Sequence, residues 1–434
     1  MKKWSFIAMS LLLVSLVVSA CGSGNNSNSA TSTAAPSSDS SNPAASEGSG
    51  ASASLKGKVT FAYWGAQSEA DAIKQAVSSF ENANPNVKVE QQWIQKDYLT
   101  KLQTMIAGGT APDVMLISGG DLPGFASAFQ PLQADGSVFS SPTLVDSMSM
   151  DGSLYAMPFV IKPKVMAINV DLFEKNQVPL PSPTEPMTTE QFLDISKKLT
   201  SGEGASKIFG SEPLWLGNWI YAFGGQYYSD DLTKSTLDAP EAIAAAEFIV
   251  KTKQDGLVPN DTEKKGQSMT DWFLAGRIGM YTDFGPWNLP QMADVKGFKW
   301  DLVPFPGNGG SKEVNGLALS KDSKNADAAK AFITYMTQSE EAQKAIGGNK
   351  SAYGIPVLAS ATGAFETIFP DKNLKAFVLA AEKQHAQEAQ KRTNEINNEM
   401  KAIDDKTPIG IGKQDVKEVF PQVAEKINKI LQQD

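Results

Sequence analysis

From Leu55 onward, apolar positions follow two rhythms, one with a period of two and one with the period of a helix. Residues 59–63 form a short apolar run that predicts a strand. Ser68 is placed to cap a helix with Asp71 in its first turn, and Ile73, Val77 and Phe80 then share one face at helical spacing. Pro85 breaks the pattern. Val87, Val89 and Trp93 fall on alternating positions and predict a second strand. Leu99, Leu102 and Ile106 mark a second helix, closed by Gly108 and Gly109. Residues 114–117 are a buried-strand run. Strand, helix, strand, helix, strand implies a parallel α/β sheet. Ligands of such sheets sit at the carboxyl ends of the strands. Two loops qualify: residues 64–67 and residues 118–121.

The middle of the chain is helix-rich. Thr188 and Gln191 form a capping-box pattern ahead of Phe192, Ile195 and Leu199. Residues 240–252 predict an Ala-rich helix, and residues 327–336 and 339–346 two more. Val419, Val423, Ile427 and Ile430 share one face after Val416, with Pro421 expected to kink or restart that helix. No internal repeat is present.

The N-terminus follows a different pattern. Lys2 and Lys3 precede an apolar stretch over residues 6–18, broken only by Ser10 and Ser15, and Val18, Ser19, Ala20 and Cys21 supply a small-residue cleavage site. The run is shorter than the roughly 20 apolar residues of a spanning helix. With Cys21 directly after the small pair, the segment resembles the lipobox of bacterial lipoproteins. That resemblance implies a signal peptide over residues 1–20, cleavage before Cys21 and diacylation of its thiol. Two acyl chains give stable membrane attachment where one does not. Cys21 is the only cysteine, so no disulfide within the chain is available to it. Residues 22–54 are almost entirely Ser, Ala, Gly, Asn, Thr and Pro, with no aromatic residue and no Leu, Ile or Val. They read as a disordered tether whose reach suits a Gram-positive-type envelope.

The remaining chain, about 400 residues, exceeds one ordinary core and suggests two domains. Its 41% hydrophobic content is globular, and a formal charge of −9 argues against nucleic acid as a partner.

Five segments then carry a specific resemblance. They are residues 80–85 (FENANP), residues 111–114 (APDV), the DGSLYAMP and NVDLF elements at 151–158 and 169–173, the FLAGRIGM run at 273–280 leading to Gly285, Pro286 and Trp287, and NGLALS at 315–320 followed by SEEAQ at 339–343. In that order they resemble the extracellular solute-binding proteins of ABC importers, in the sugar-binding family typified by maltose-binding protein. The resemblance covers the chain from Lys58 to the C-terminus. It implies a two-lobed, periplasmic-binding-protein-like α/β fold with a ligand cleft. One lobe would comprise residues 55–161 and 315–358, the other residues 162–314 and 359–434. It further implies hinge closure on a carbohydrate, delivery to a membrane permease, a monomer, no cofactor and no chemistry by the protein itself.

Sugars present C–H faces to aromatic rings and hydroxyls to paired polar groups. The family's GPW element makes Trp287 the first ligand-binding candidate, and the end of the third strand makes Asp121 the second. Glu212 and Trp215, ahead of Gly224 and Gly225, form another cleft candidate, with Trp64, Gln67 and Trp219 behind them. Lys162 stands just after the DGxxYxxP element, where the family often has an acid. It would suit an anionic sugar or phosphate as a point charge, although the usual exposure of lysine makes it an expected hinge residue. Residues 391–407 lack the family's late aromatic. Trp93, Trp272 and Trp300 are assigned to packing, and the Asp230-Asp231 and Asp404-Asp405 pairs to solvated turns, because neither has the alternating oxygens of a metal loop. A lipid-anchored glycan hydrolase would need two facing carboxylates roughly 5–9 Å apart. A serine hydrolase is poorly supported, because the single histidine, His385, lies in a Gln- and Glu-rich helical stretch and no G-x-S-x-G is present. A non-transport receptor would keep the same fold.

Overall fold

The computed structural model describes residues 55–293, 295–388, 390–403 and 412–433. The signal segment, Cys21, the tether and the Asp404-Asp405 pair lie outside the described residues.

One sheet runs in the order Ile355–Pro356, Ala156–Pro163, Ser311–Leu319, Val114–Ser118, Gly57–Tyr63 and Val87–Trp93. Its first three strands in the chain pair in parallel, as the strand-helix alternation implies. The later strand Ser311–Leu319 then inserts antiparallel to both Val114–Ser118 and Ala156–Pro163. Every residue of Val114–Ser118 and of Ala156–Pro163 is buried, which is why both read as unbroken runs rather than alternations. A second sheet runs Trp300–Val303, Val165–Asn169, Ile278–Phe284, Phe209–Ser211. The chain leaves the first sheet at Lys164 and returns between Val303 and Ser311. The helix Lys375–Lys383 packs against both Ala156–Pro163 and Val165–Asn169, tying the two sheets together.

Local chemistry accounts for the helices. The first runs Gln67–Ala83 and starts before Ser68, because the Glu69 carboxylate, rather than a serine hydroxyl, accepts the Ala66 N–H at 2.6 Å. Its buried face carries Ile73, Val77 and Phe80, and the Phe80 ring meets Phe332 edge-on at 5.1 Å. Burying each such side chain is worth about 1.5–3 kcal/mol. At Thr188 the capping box forms reciprocally: Thr188 Oγ1 accepts the Gln191 N–H at 3.2 Å and Gln191 Oε1 accepts the Thr188 N–H at 2.8 Å. The C-terminal helix Val416–Leu431 continues through Pro421 without restarting, and it buries Val419, Phe420, Val423 and Ile427. No helix among the described residues is long and apolar enough to cross a membrane.

Candidate ligand-binding site

The carboxyl ends of the first strands open onto a groove. Trp64 follows Gly57–Tyr63 and leans on Tyr98, with ring centroids 4.9 Å apart. The Tyr98 hydroxyl lies 2.8 Å from the Leu116 carbonyl and 3.1 Å from that of Ala62, so it ties two strands together beneath Trp64. Asp121 follows Val114–Ser118, and Ser118 Oγ donates to its Oδ2 at 2.6 Å. A cavity of ≈410 Å³ is lined here by Trp64, Tyr98, Ser118, Asp121, Glu313 and Gln387, with Asp97 at its margin. A second cavity of ≈350 Å³ shares Ser118, Asp121 and Gln387 with the first. Its further walls include Trp215, Tyr221, Tyr227, Tyr228 and Glu388. The two are halves of one groove with Asp121 in its middle. Trp215 is 49% exposed and turns toward the second half of the groove. Its ring lies over Gly217, where a Cβ would come within 2.3 Å of it, so only glycine lets the indole take that position.

The groove is acidic. Burial raises the Asp121 carboxyl above the ordinary carboxylate range; the Ser118 hydrogen bond opposes the shift and the Glu313 charge adds to it. Glu388 is raised by burial as well, opposed by the Tyr221 hydroxyl that donates to it at 2.7 Å. Tyr221, Tyr227 and Tyr228 are held well above the usual phenol range, first by burial and then by Glu388, and stay neutral. They supply unionised hydroxyls beside flat apolar faces.

Trp64, Asp121 and Trp215 therefore come together as sequence-derived candidates, and the others lie elsewhere. Trp219 is wholly buried, stacked on Phe248 at 5.1 Å, and is a core residue rather than a cleft residue. Glu212 is buried too. Its Oε1 accepts the Thr282 N–H at 2.9 Å and Thr282 Oγ1 at 2.5 Å, so it braces the second sheet instead of facing a ligand. Burial pushes its carboxyl up to about 7 against the Thr282 hydrogen bonds. Lys162 is not an exposed hinge residue. Its ammonium lies 2.7 Å from Glu69 and 3.8 Å from the centre of the Tyr353 ring, with both charged side chains under one-tenth exposed. Lys164 lies 3.9 Å from Asp283 and 4.5 Å from the Trp287 ring centre. Trp287 itself is half-buried and folds back over Gly285 beside these lysines; it lines neither half of the groove. Gln67 is exposed and hydrogen-bonds Asp71 at 2.8 Å. His385 sits in a two-residue strand against Ser311, not in a helix, and stacks on Tyr221 at 5.5 Å. Trp272 and Trp300 are core, and Asp231 is an exposed turn acceptor. No group of three or more His, Cys, Asp or Glu among the described residues is placed to hold a metal.

Residues 75–373 match the family model described as bacterial extracellular solute-binding protein. The chain belongs to that family. It is a family of binding proteins, found outside the cell. Among curated relatives, the multiple sugar-binding protein of Streptococcus mutans is 24% identical over 68% of this chain and 75% of its own. An uncharacterized lipoprotein of Streptomyces antibioticus is 25% identical over 67% of this chain and 69% of its own. Among solved structures, the ABC substrate-binding protein Lmo0181 of Listeria monocytogenes, in complex with cycloalternan, superposes with a TM-score of 0.76 at 26% identity, over 87% of this chain and 99% of that one. The GacH receptor of Streptomyces glaucescens superposes at 0.73 with 22% identity, over 87% of this chain and 99% of that one. The two-lobed fold implied by the sequence is thereby shown.

Sequence reasoning missed Tyr98, Tyr221, Tyr227, Tyr228, Glu313, Gln387 and Glu388. A signal existed for three of them, because tyrosines on both sides of Gly224 and Gly225 mark an aromatic-rich turn next to the Trp215 segment.

Proposed function

We propose that this family member is the lipid-anchored solute-binding component of an ABC importer. It binds a carbohydrate, of oligosaccharide length, and hands it to the membrane permease. The observation that carries this reading is the composition of the groove. Aromatic rings at Trp64, Trp215, Tyr227 and Tyr228 stand on both sides of polar groups at Asp121 and Gln387. Sugar C–H faces pack on such rings, and hydroxyls pair with such acceptors. The two cavities end to end suit more than one sugar ring. Closure of the lobes brings Trp287, beside the crossing strands, onto the bound solute as a further stacking surface. Lipid on Cys21 and the tether over residues 22–54 keep the monomeric binding unit near its permease in a Gram-positive-type envelope, which raises its effective concentration there. The protein performs no turnover.

Isothermal titration of the purified chain against a panel of oligosaccharides, paired with a reducing-end assay on the same mixtures, tests the reading. Saturable binding without new reducing ends supports it. Release of reducing ends, or no binding by any carbohydrate, overturns it.

A further inference from the structure

We propose that the groove selects a carbohydrate bearing a protonated amine, with the ammonium seated between Asp121 and Glu313; this rests on the carbohydrate reading above. The first observation is the charge inventory. Asp97, Asp121, Glu313 and Glu388 line the two halves of the groove, and among the described residues no Lys, Arg or His does. Cations are present nearby but committed. Lys162 stands directly across from Glu313 in strand register, yet its ammonium turns to Glu69 at 2.7 Å and to the Tyr353 ring. Lys164 faces Asp283. One buried lysine is therefore set against two carboxylates, Glu69 and Glu313, and Asp121 adds a third negative charge beside Glu313 in the groove.

The second observation is unspent hydrogen-bonding capacity. Asp121 receives Ser118 Oγ on Oδ2 alone, and no hydrogen bond or ion pair reaches the Glu313 carboxylate among the described residues. Two residues along the same strand, Asn315 is on the same face as Glu313 and wholly buried, with its side chain turned to the Tyr353 hydroxyl behind the groove.

Ligand chemistry separates the alternatives. A neutral sugar hydroxyl gives one donor to one carboxylate and leaves the repulsion between Asp121 and Glu313 in place. An anionic sugar adds to that repulsion. An ammonium brings three donors and a compensating charge, and charge-assisted hydrogen bonds are about twice as strong as neutral ones. The flanking faces of Trp64 and Tyr98 favour a cation through their ring quadrupoles. Burial first, and then the nearby Glu313 charge, favour the protonated form of Asp121, and a cation between the two carboxylates offsets the second of these.

The test compares one backbone carrying three substituents. Glucosamine oligosaccharides of two to four units, their N-acetylated counterparts and the neutral cello-oligosaccharides are titrated against the full chain at low and high salt. The amino series is expected to bind about tenfold or more tighter than either partner, with the advantage shrinking in salt. Asp121→Asn and Glu313→Gln are each expected to drive the amino-to-neutral affinity ratio toward one. A merely structural loss would weaken both series alike and leave the ratio unchanged. Equal or tighter binding of the neutral or acetylated series overturns the amine proposal and leaves the carbohydrate reading standing. Failure of all three series to bind overturns the amine proposal, while the carbohydrate reading falls only if the wider oligosaccharide panel fails to bind as well.

Discussion

Replacing Lys162 with methionine removes one half of an ion pair that water scarcely reaches. The Lys162 and Glu69 side chains are 6% and 7% exposed and their charged atoms are 2.7 Å apart. Without the ammonium, Glu69 keeps only the Ala66 N–H, which its other oxygen accepts at 2.6 Å. Truncating one partner of such a buried pair costs about 3–5 kcal/mol, because the remaining charge is left uncompensated. The lost contact over Tyr353, at 3.8 Å, adds to that cost. The double variant Lys162→Met, Glu69→Gln removes both charges and is expected to recover most of the stability, to within about 1–2 kcal/mol of the parent chain. The assay is urea denaturation near neutral pH, followed by tryptophan fluorescence and circular dichroism; agreement of the two probes licenses the free energies. A single variant within about 1 kcal/mol of the parent, or a double variant no better than the single, would refute the assignment of Lys162 to a buried pair.

The remaining expectations concern pH, the groove and the anchor. Glu212 has its carboxyl pushed up to about 7 in the folded chain from an ordinary 4.5. Its folded form therefore binds the proton more tightly than its unfolded form. That contribution is fully present below the ordinary value and is lost as pH rises through about 7. Measured against Glu212→Gln, the parent chain should lose on the order of 3 kcal/mol of stability between those two pH values; a flat difference would show that Glu212 stays ionised. Trp64→Ala should weaken sugar binding about tenfold with little loss of fold, while Trp219→Ala should cost about 3–5 kcal/mol of stability through the cavity it opens in the second lobe. Titration beside thermal melting separates the two. Cys21→Ser should release the protein from the membrane fraction and leave sugar affinity unchanged; a loss of affinity would contradict a tether that acts only as an anchor.

Much of the first lobe was legible because its strands and helices announce themselves locally. The run at Val114–Ser118 and the helix face at Ile73, Val77 and Phe80 need no distant information. Asp121 was legible for the same reason, since a residue that follows a parallel strand sits at the ligand end of the sheet. Trp215 and Trp219 show where local reading stops. They lie four residues apart at the start of one helix, and one is half-exposed while the other is fully buried. Only the packing of Phe192, Phe248 and Phe305 around Trp219 distinguishes them. Lys162 misled because lysines are usually exposed, and its partner Glu69 lies 93 positions away in sequence. Glu313 on one side, and the adjacent Gln387 and Glu388 on the other, reach the groove from two segments far apart in the chain, so no spacing within one element points to them.

The most direct test of the groove as the solute site is a hydrogen-exchange footprint of the chain with and without a saturating oligosaccharide. Protection is expected at Trp64, Ser118 and Asp121, and across the segment from Trp215 to Tyr228. Protection confined to other surfaces, such as the lysine-lined cavity around Lys296, Trp300 and Lys372, with these segments unchanged, would contradict the account.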